Sequence, residues 1–231
     1  MFDIRNETPR PFVFINAAMS ADGKIATKER RQTRISGSLD FGRVDELRAG
    51  SDAVMVGIGT MLSDNPSLTV KSKERKEKRC VNGLLENPAR IVVDSLAKTP
   101  VDADIFKKGA GKRIIAVSES APAERVKLLS KIADVIPVGE KNVDLRKLLA
   151  WLKASGINRL MVEGGATLNW GLISGGLVDE IYTFVGNIII GGKDAPTLVD
   201  GEGCIGEFCR LELVSCERLE EGVLIRWKVW K

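Results

Sequence analysis

No histidine occurs anywhere in the 231 residues. That gap removes the commonest general base, the Ser-His and Cys-His nucleophile pairs and most zinc sites, leaving proton chemistry to carboxylates, lysines, tyrosine, hydroxyls or water. Cysteine is scarce as well. Cys80, Cys204, Cys209 and Cys216 have neither the C-x-x-C spacing of a zinc site nor the density of a secreted disulfide scaffold, so reduced, partly buried thiols and no metal are expected. No apolar run reaches the roughly 18 residues of a membrane span, and MFDIRNETPRP is too polar and proline-rich for a signal peptide. The expectation is a soluble cytoplasmic protein with no membrane partner. A formal charge of +4 is too small to argue for nucleic acid, although it suits an anionic small molecule.

Short apolar runs alternate with helical patterns along most of the chain. Strands are expected at 12–17, 52–57, 90–94, 113–118, 134–138 and 159–163, most of them too uniformly apolar to have a wet face. Such strands belong in a parallel sheet covered on both sides. The clearest helix is DLRKLLAWLKASG, where Leu145, Leu148, Leu149 and Leu152 recur at helical spacing between an N-cap at Asp144 and a C-cap at Gly156. Two more are expected within 122–132 and 38–50. The last third changes character: VDEIYTFVGNIII (178–190) is a long β-branched and aromatic run, and 211–219 and 223–230 flank Glu220-Glu221-Gly222 as an antiparallel hairpin. The expected fold is α/β: a mostly parallel twisted sheet, helices on both faces, a C-terminal antiparallel pair, and one domain over 1–231. Residues 71–89 stand apart as a charged insertion, read as a solvated loop or frayed helix because interleaved acids and missing aromatics argue against an RNA-binding patch.

Three turns follow three apolar strands and each carries glycine. After the second expected strand, Gly57 and Gly59 allow close backbone approach, and the next residues start a short helix. A structural turn explains this as well as a phosphate loop does, and the G-x-G-x-x-G of a dinucleotide fold is absent after the first strand. After the sixth, Glu163-Gly164-Gly165 puts an acid and two glycines at the carboxyl edge of the sheet, where open α/β sheets bind ligands. Glu163 either serves a ligand or compensates the dipole of the following helix. After the first, Asp22-Gly23 is a turn signal with Lys24 beyond it.

In consistent order from about Pro11 to Trp230, the series SADGKIAT, TRIS, ELRAGSDAVMVGIGTML, DNPSLTV, RIVVDS, MVEGGATLNWGLISGGLVDEI and IIIGGKDAPTLVDGEG resembles the pyrimidine reductases of riboflavin biosynthesis. Within them it resembles the archaeal form that acts without a fused zinc deaminase. The resemblance implies a dihydrofolate-reductase-like fold, NADPH as cofactor, a homodimer, and reduction of the ribosyl group of a phosphorylated diaminopyrimidine. It also implies that Gly57, Gly59, Thr60, Asp64, Ser95, Gly164, Gly165, Ala166, Thr167 and Leu168 contact the cofactor. On the substrate side it points to Arg48 and Lys71 near the 5′-phosphate, Leu68 lining the site, Glu163 facing the ribose, and Thr33, Arg34 and Ser36 nearby. Arg48 is expected to grip the phosphate with two parallel hydrogen bonds. For the proton, Glu163, Lys24, Asp22 and an ordered water are the candidates. The alternatives are a reductase of the deaminated pyrimidine or of a pterin, and a non-catalytic nucleotide-binding module.

Overall fold

The computed structural model describes residues 9–30, 33–206 and 208–230; the first eight residues of the N-terminal stretch lie outside them. In chain order the elements are β1 (Phe12–Ser20), α1 (Ser38–Ala49), β2 (Ala53–Gly57), α2 (Ile58–Asp64), α3 (Lys73–Val81), β3 (Ala89–Val93), α4 (Asp104–Lys107), β4 (Arg113–Val117), α5 (Ala123–Leu129), β5 (Asp134–Pro137), α6 (Leu145–Ala154), β6 (Arg159–Val162), α7 (Ala166–Ser174), β7 (Glu180–Gly186), β8 (Leu211–Leu219) and β9 (Gly222–Val229). Their strands make one nine-stranded sheet in the order β5-β4-β3-β2-β6-β1-β7-β9-β8. Strands β5 through β7 pair in parallel, and β9 then pairs antiparallel with both β7 and β8. This is the sheet with a C-terminal antiparallel pair that the apolar runs imply.

Why the parallel strands read as unbroken apolar runs is clear from their two faces. One face buries Val13, Ile15, Met55, Ile91 and Val162 under α6 and α7, and the other buries Phe14, Val54, Val56, Val92 and Met161 with Met61 of α2 and Leu129 of α5. Full burial of each such side chain contributes about 1.5–3 kcal/mol. Helix α6 forms as its spacing demands: Asp144 accepts from Lys147 N at 3.0 Å, Leu148, Leu149 and Leu152 are buried, and Gly156 turns left-handed at φ +88° just past the last capping residue, Ser155.

Three expectations need correction. The run 178–190 is a strand only as far as Gly186. A side chain at Gly186 would meet the Ile35 carbonyl at 2.5 Å, and beyond it Asp22 takes the backbone N–H groups of Ile190 and Gly191. Within 71–89, residues Lys73–Val81 form a capped and anchored helix α3 rather than a solvated loop or a frayed helix: Ser72 caps it, accepting from Arg75 N at 3.3 Å, and Arg75 reaches Asp45 of α1 at 3.0 Å. The four cysteines are free and exposed, not partly buried, because Cys204 and Cys209 fall in the β7–β8 connection and Cys216 on the edge strand. Helix α1, expected within 38–50, has no local cap, since Gly37 precedes it. Glu220, at the tip of the β8–β9 hairpin, supplies one by accepting from Leu39 N at 2.9 Å and Ser38 Oγ at 3.3 Å.

Candidate active site

Parallel pairing sets the site. Strand β6 lies between β1 and β2, so the residues leaving its carboxyl end face the turns that leave its neighbours. Glu163 N donates to Met55 O at 2.9 Å, and Gly57 N donates to Gly164 O at 2.8 Å. The β2 and β6 glycine turns are thereby clamped side by side. They open into a cleft of about 1310 Å³, larger than the roughly 300–1,000 Å³ of an ordinary small-molecule pocket and so roomy enough for two ligands.

On one side of the cleft lie Gly57, Gly59, Thr60 and Asp64 from β2 and α2, together with Ser95. Gly164, Gly165, Ala166, Thr167 and Leu168 lie along the β6–α7 turn. A Cβ on Gly59 or Gly164 would meet nothing within 4 Å, and one on Gly165 would stand 3.0 Å from Thr60 Oγ1, in the corridor between the turns. Helix α7 begins without a side-chain cap, and its first backbone N–H groups therefore have no acidic neighbour competing with a phosphate. Burial raises the pKa of Asp64, with only the Ser63 hydroxyl opposing. Bare backbone, hydroxyls and an uncapped helix start fit a dinucleotide.

The acid of the β6 turn is held differently from expectation. Arg48 Nε donates to Glu163 Oε1 and Nη2 to Oε2, both at 2.6 Å, and Nη1 donates to Thr69 O at 3.3 Å. The fork assigned to phosphate is thus occupied by Glu163. Burial alone would lower the Arg48 pKa, but the charge and hydrogen bonds of Glu163 outweigh it and the net shift is upward. Beside this pair, Lys71 Nζ donates to Ser67 Oγ at 3.0 Å and Thr69 Oγ1 at 2.9 Å. Burial first, then the charges of Arg48, Lys108 and Lys76, lower its pKa, so an anion arriving here finds a cation crowded by cations. Asp45 fixes this corner by accepting from Lys71 N, Ser72 N and Arg75 Nη1. Burial raises its pKa, yet these bonds dominate and the net shift is downward.

Thr33, Arg34 and Ser36 line the cleft too. Three predicted residues do not. Leu68 is 1% exposed and packs in the core at a left-handed φ of +53°, its side chain turned away from the cleft. Asp22 accepts from Ser20 Oγ at 2.6 Å, Ile190 N at 3.1 Å and Gly191 N at 2.7 Å; the Ser20 hydroxyl first and these backbone bonds next lower its pKa to about 2. Such a group holds no proton near neutrality. Lys24 Nζ donates to Ala195 O at 2.9 Å and so ties β1 to the 195–197 segment. Both are turn anchors, outside the cleft-lining set.

Sequence reasoning passed over Asn16. It lines the cleft at 7% exposure, and its buried Oδ1 has no hydrogen-bond partner among the described residues. A polar residue inside the apolar run FVFINA is the same signal that singles out Glu163. Asp45 and Phe41, also lining, left no comparable mark, because neither is a polar residue inside an apolar run.

Comparison with known proteins agrees with this geometry. The model of the RibD C-terminal domain matches residues 11–225. The chain belongs to that family. RibD C-terminal domain relatives include a protein of Archaeoglobus fulgidus named 2,5-diamino-6-ribosylamino-4(3H)-pyrimidinone 5′-phosphate reductase, 50% identical over 94% of this chain and 97% of its own length. A protein of the same name from Methanothermobacter thermautotrophicus is 46% identical over 95% and 99%. The riboflavin biosynthesis protein RibD of Actinobacillus pleuropneumoniae is 32% identical, and the chain spans 58% of it. Among solved structures, a pyrimidine reductase-like protein of Corynebacterium diphtheriae superposes with TM-score 0.83 at 18% identity, covering 96% of this chain and 92% of that one. Dihydrofolate reductase of Enterococcus faecalis superposes at 0.51 with 11% identity over 95% and 97%. The RibD C-terminal domain is therefore a dihydrofolate-reductase-like fold in this chain.

Proposed function

We propose that this oxidoreductase reduces the ribosyl group of 2,5-diamino-6-ribosylamino-4(3H)-pyrimidinone 5′-phosphate to the ribitylamino product in riboflavin biosynthesis, the reaction named for its archaeal relatives, with NADPH as cofactor. The observation that carries this reading is the Arg48–Glu163 fork standing beside the two clamped glycine turns in one cleft of two-ligand size. Opening the ribose breaks C1′–O4′, moves the amine proton to O4′ and leaves a C1′ imine. A hydride then forms the new C1′–H bond, the C=N π pair moves to nitrogen, and one proton completes the ribitylamine.

When bound, the nicotinamide cofactor supplies the hydride. Gly57, Gly59, Thr60, Asp64, Ser95 and the run Gly164 to Leu168 would hold it. What the protein adds is position: two ligands fixed with reacting atoms about 3–3.5 Å apart gain most of the entropy of encounter. Arg48 holds Glu163 with both carboxylate oxygens engaged, so that Glu163 meets the ribose hydroxyls as a fixed acceptor and receives or returns the proton through them. Lys71, with the Ser67 and Thr69 hydroxyls, takes the 5′-phosphate. Arg48 supports that anion by its charge and spends its hydrogen bonds on Glu163.

The working form is a homodimer in the cytoplasm. No described helix is long and apolar enough to cross a membrane. Strand β8 is the sheet's edge and exposes Leu211, Leu213 and Val214, a surface that a second copy would cover. The decisive assay mixes purified protein, NADPH and the ribosylaminopyrimidine phosphate and follows loss of reduced-nicotinamide absorbance. Parallel reactions with NADH, with the deaminated pyrimidine and with a dihydropterin test the competing assignments. Oxidation of NADPH with the dihydropterin and not with the ribosylaminopyrimidine phosphate would overturn the reading.

A further inference from the structure

The two ligands of this reaction each carry a flat heteroaromatic ring, yet among the described residues only one aromatic side chain lines the cleft. It is Phe41, 52% exposed, on helix α1. Half of a phenyl ring left in water inside a ligand cleft is apolar surface that gains free energy once a flat partner covers it.

Phe41, Val44 or Asp45, and Arg48 recur at helical spacing on the cleft-facing side of α1. Seven residues at 1.5 Å each put Phe41 about 10 Å along the helix from Arg48. Arg48 is locked to Glu163, the acid proposed for the ribose. With a sugar at Glu163 and a phosphate at Lys71, the cleft-facing side of α1 beyond them, where Phe41 stands, is open to the base. None of the turns proposed for the cofactor lies on this helix. The Arg34 guanidinium stands 6.0 Å from the Phe41 ring centroid, at the reach of a cation–π contact, and an electron-rich diaminopyrimidine is the kind of ring that a guanidinium edge and a phenyl face both attract.

We propose that Phe41 is the platform on which the pyrimidine base of the substrate stacks, with Arg34 as its charged flank; this rests on the reductase reading above. Phe41 is then a specificity-determining residue: it selects for a sugar phosphate that carries an aromatic base.

The test compares wild type with Phe41→Ala and Phe41→Tyr. A stacking contact of ordinary size predicts that Phe41→Ala raises substrate KM by about tenfold or more, with NADPH KM and the thermal transition unchanged and Phe41→Tyr within about twofold of wild type. Ribose 5-phosphate, which has the sugar and phosphate but no ring, is the control. Its inhibition constant should be the same in wild type and Phe41→Ala. Unchanged substrate KM in Phe41→Ala overturns the platform, as does an equal loss for ribose 5-phosphate or a loss shared by NADPH. Wild-type turnover distinguishes the levels: if the wild type fails to reduce the substrate, the reductase reading fails and the platform with it. If the wild type turns over and Phe41→Ala does so equally well, only the platform falls.

Discussion

Two carboxylates leave adjacent regions of the same sheet in nearly the same sequence setting and end in opposite roles. Glu163 and Asp22 each follow an apolar strand and precede glycine, and β1 and β6 are neighbours in the sheet. Glu163 is held by a guanidinium, on the lining of a ligand-sized cleft. Asp22 is held by a hydroxyl and two backbone N–H groups, and it pins the segment after β7 to the turn after β1. The difference teaches that the partner decides. An acid satisfied by immobile backbone donors is part of the scaffold, whereas an acid oriented by one side chain inside a cleft can still exchange partners with a ligand.

The largest expected effect that could break this contrast is at Glu163. Glu163→Gln keeps the volume and loses the charge, and kcat should fall by about 100-fold or more, the scale of a lost proton-transfer group. Stability should fall by about 1–3 kcal/mol, because the Arg48 guanidinium loses its ionic partner; steady-state kinetics and urea unfolding read the two. Wild-type turnover in this variant would remove Glu163 from the chemistry.

Next come the glycines that follow the two acids. Gly165→Val inserts a branched side chain beside Thr60 Oγ1, and NADPH affinity should weaken by roughly 10- to 100-fold, the scale of overpacking a filled site. Gly23→Val strains a φ of +80° where a Cβ has open space. That change should lower the unfolding temperature and leave NADPH affinity alone. Cofactor titration by fluorescence separates the pair, and equal cofactor losses in both would erase the distinction between the two turns.

A smaller effect sharpens the role of Arg48. Because its hydrogen bonds go to Glu163, Arg48→Ala should lower kcat as well as raise substrate KM, by about tenfold in kcat/KM, which is the scale of a hydrogen bond to a charged group. NADPH KM should hold. A rise in substrate KM with unchanged kcat would return Arg48 to direct phosphate binding.

The smallest kinetic effect is at Asp22. Asp22→Asn should leave kcat and both KM values within about twofold, given that the side chain is outside the cleft. Its signature is in acid stability instead. The folded pKa of about 2 lies below the ordinary 3.8, so Asp22 stabilises the fold above pH 3.8 and loses that contribution as pH falls from 3.8 to about 2. The wild type should therefore unfold at higher temperature than the variant near neutrality, with the gap closing below pH 3. A gap that persists at low pH would mean that the charge of Asp22 is not what pins the turn.

How much was legible in the sequence follows from the range of each interaction. Strand β3, helix α6 and the hairpin could be read because burial on two faces, the Leu145 to Leu152 spacing and the Asp144 cap are patterns within a few residues of one another. The glycine turns were legible for the same reason, and Glu163 carried the further signal of a polar group beside an apolar run, a signal that Asn16 carries too but that was passed over there. Leu68 was not legible as a core residue for the opposite reason: it packs in the core from a left-handed backbone, and neither neighbour in sequence announces it. Helix α3 was legible only as a loop or a frayed helix because its anchor, Asp45, belongs to α1.

By itself, then, the sequence determined which segments are strands and helices, where backbone lies bare of side chains, and which family the chain belongs to, since periodicity, caps and motifs are local properties of the chain. Only the tertiary structure decided who partners whom. Arg48 meets Glu163 across 115 positions and Glu220 caps α1 across 181. A hydrogen bond forms where atoms come within about 3 Å in space, and no spacing along the chain encodes that distance until the sheet has brought its strands together.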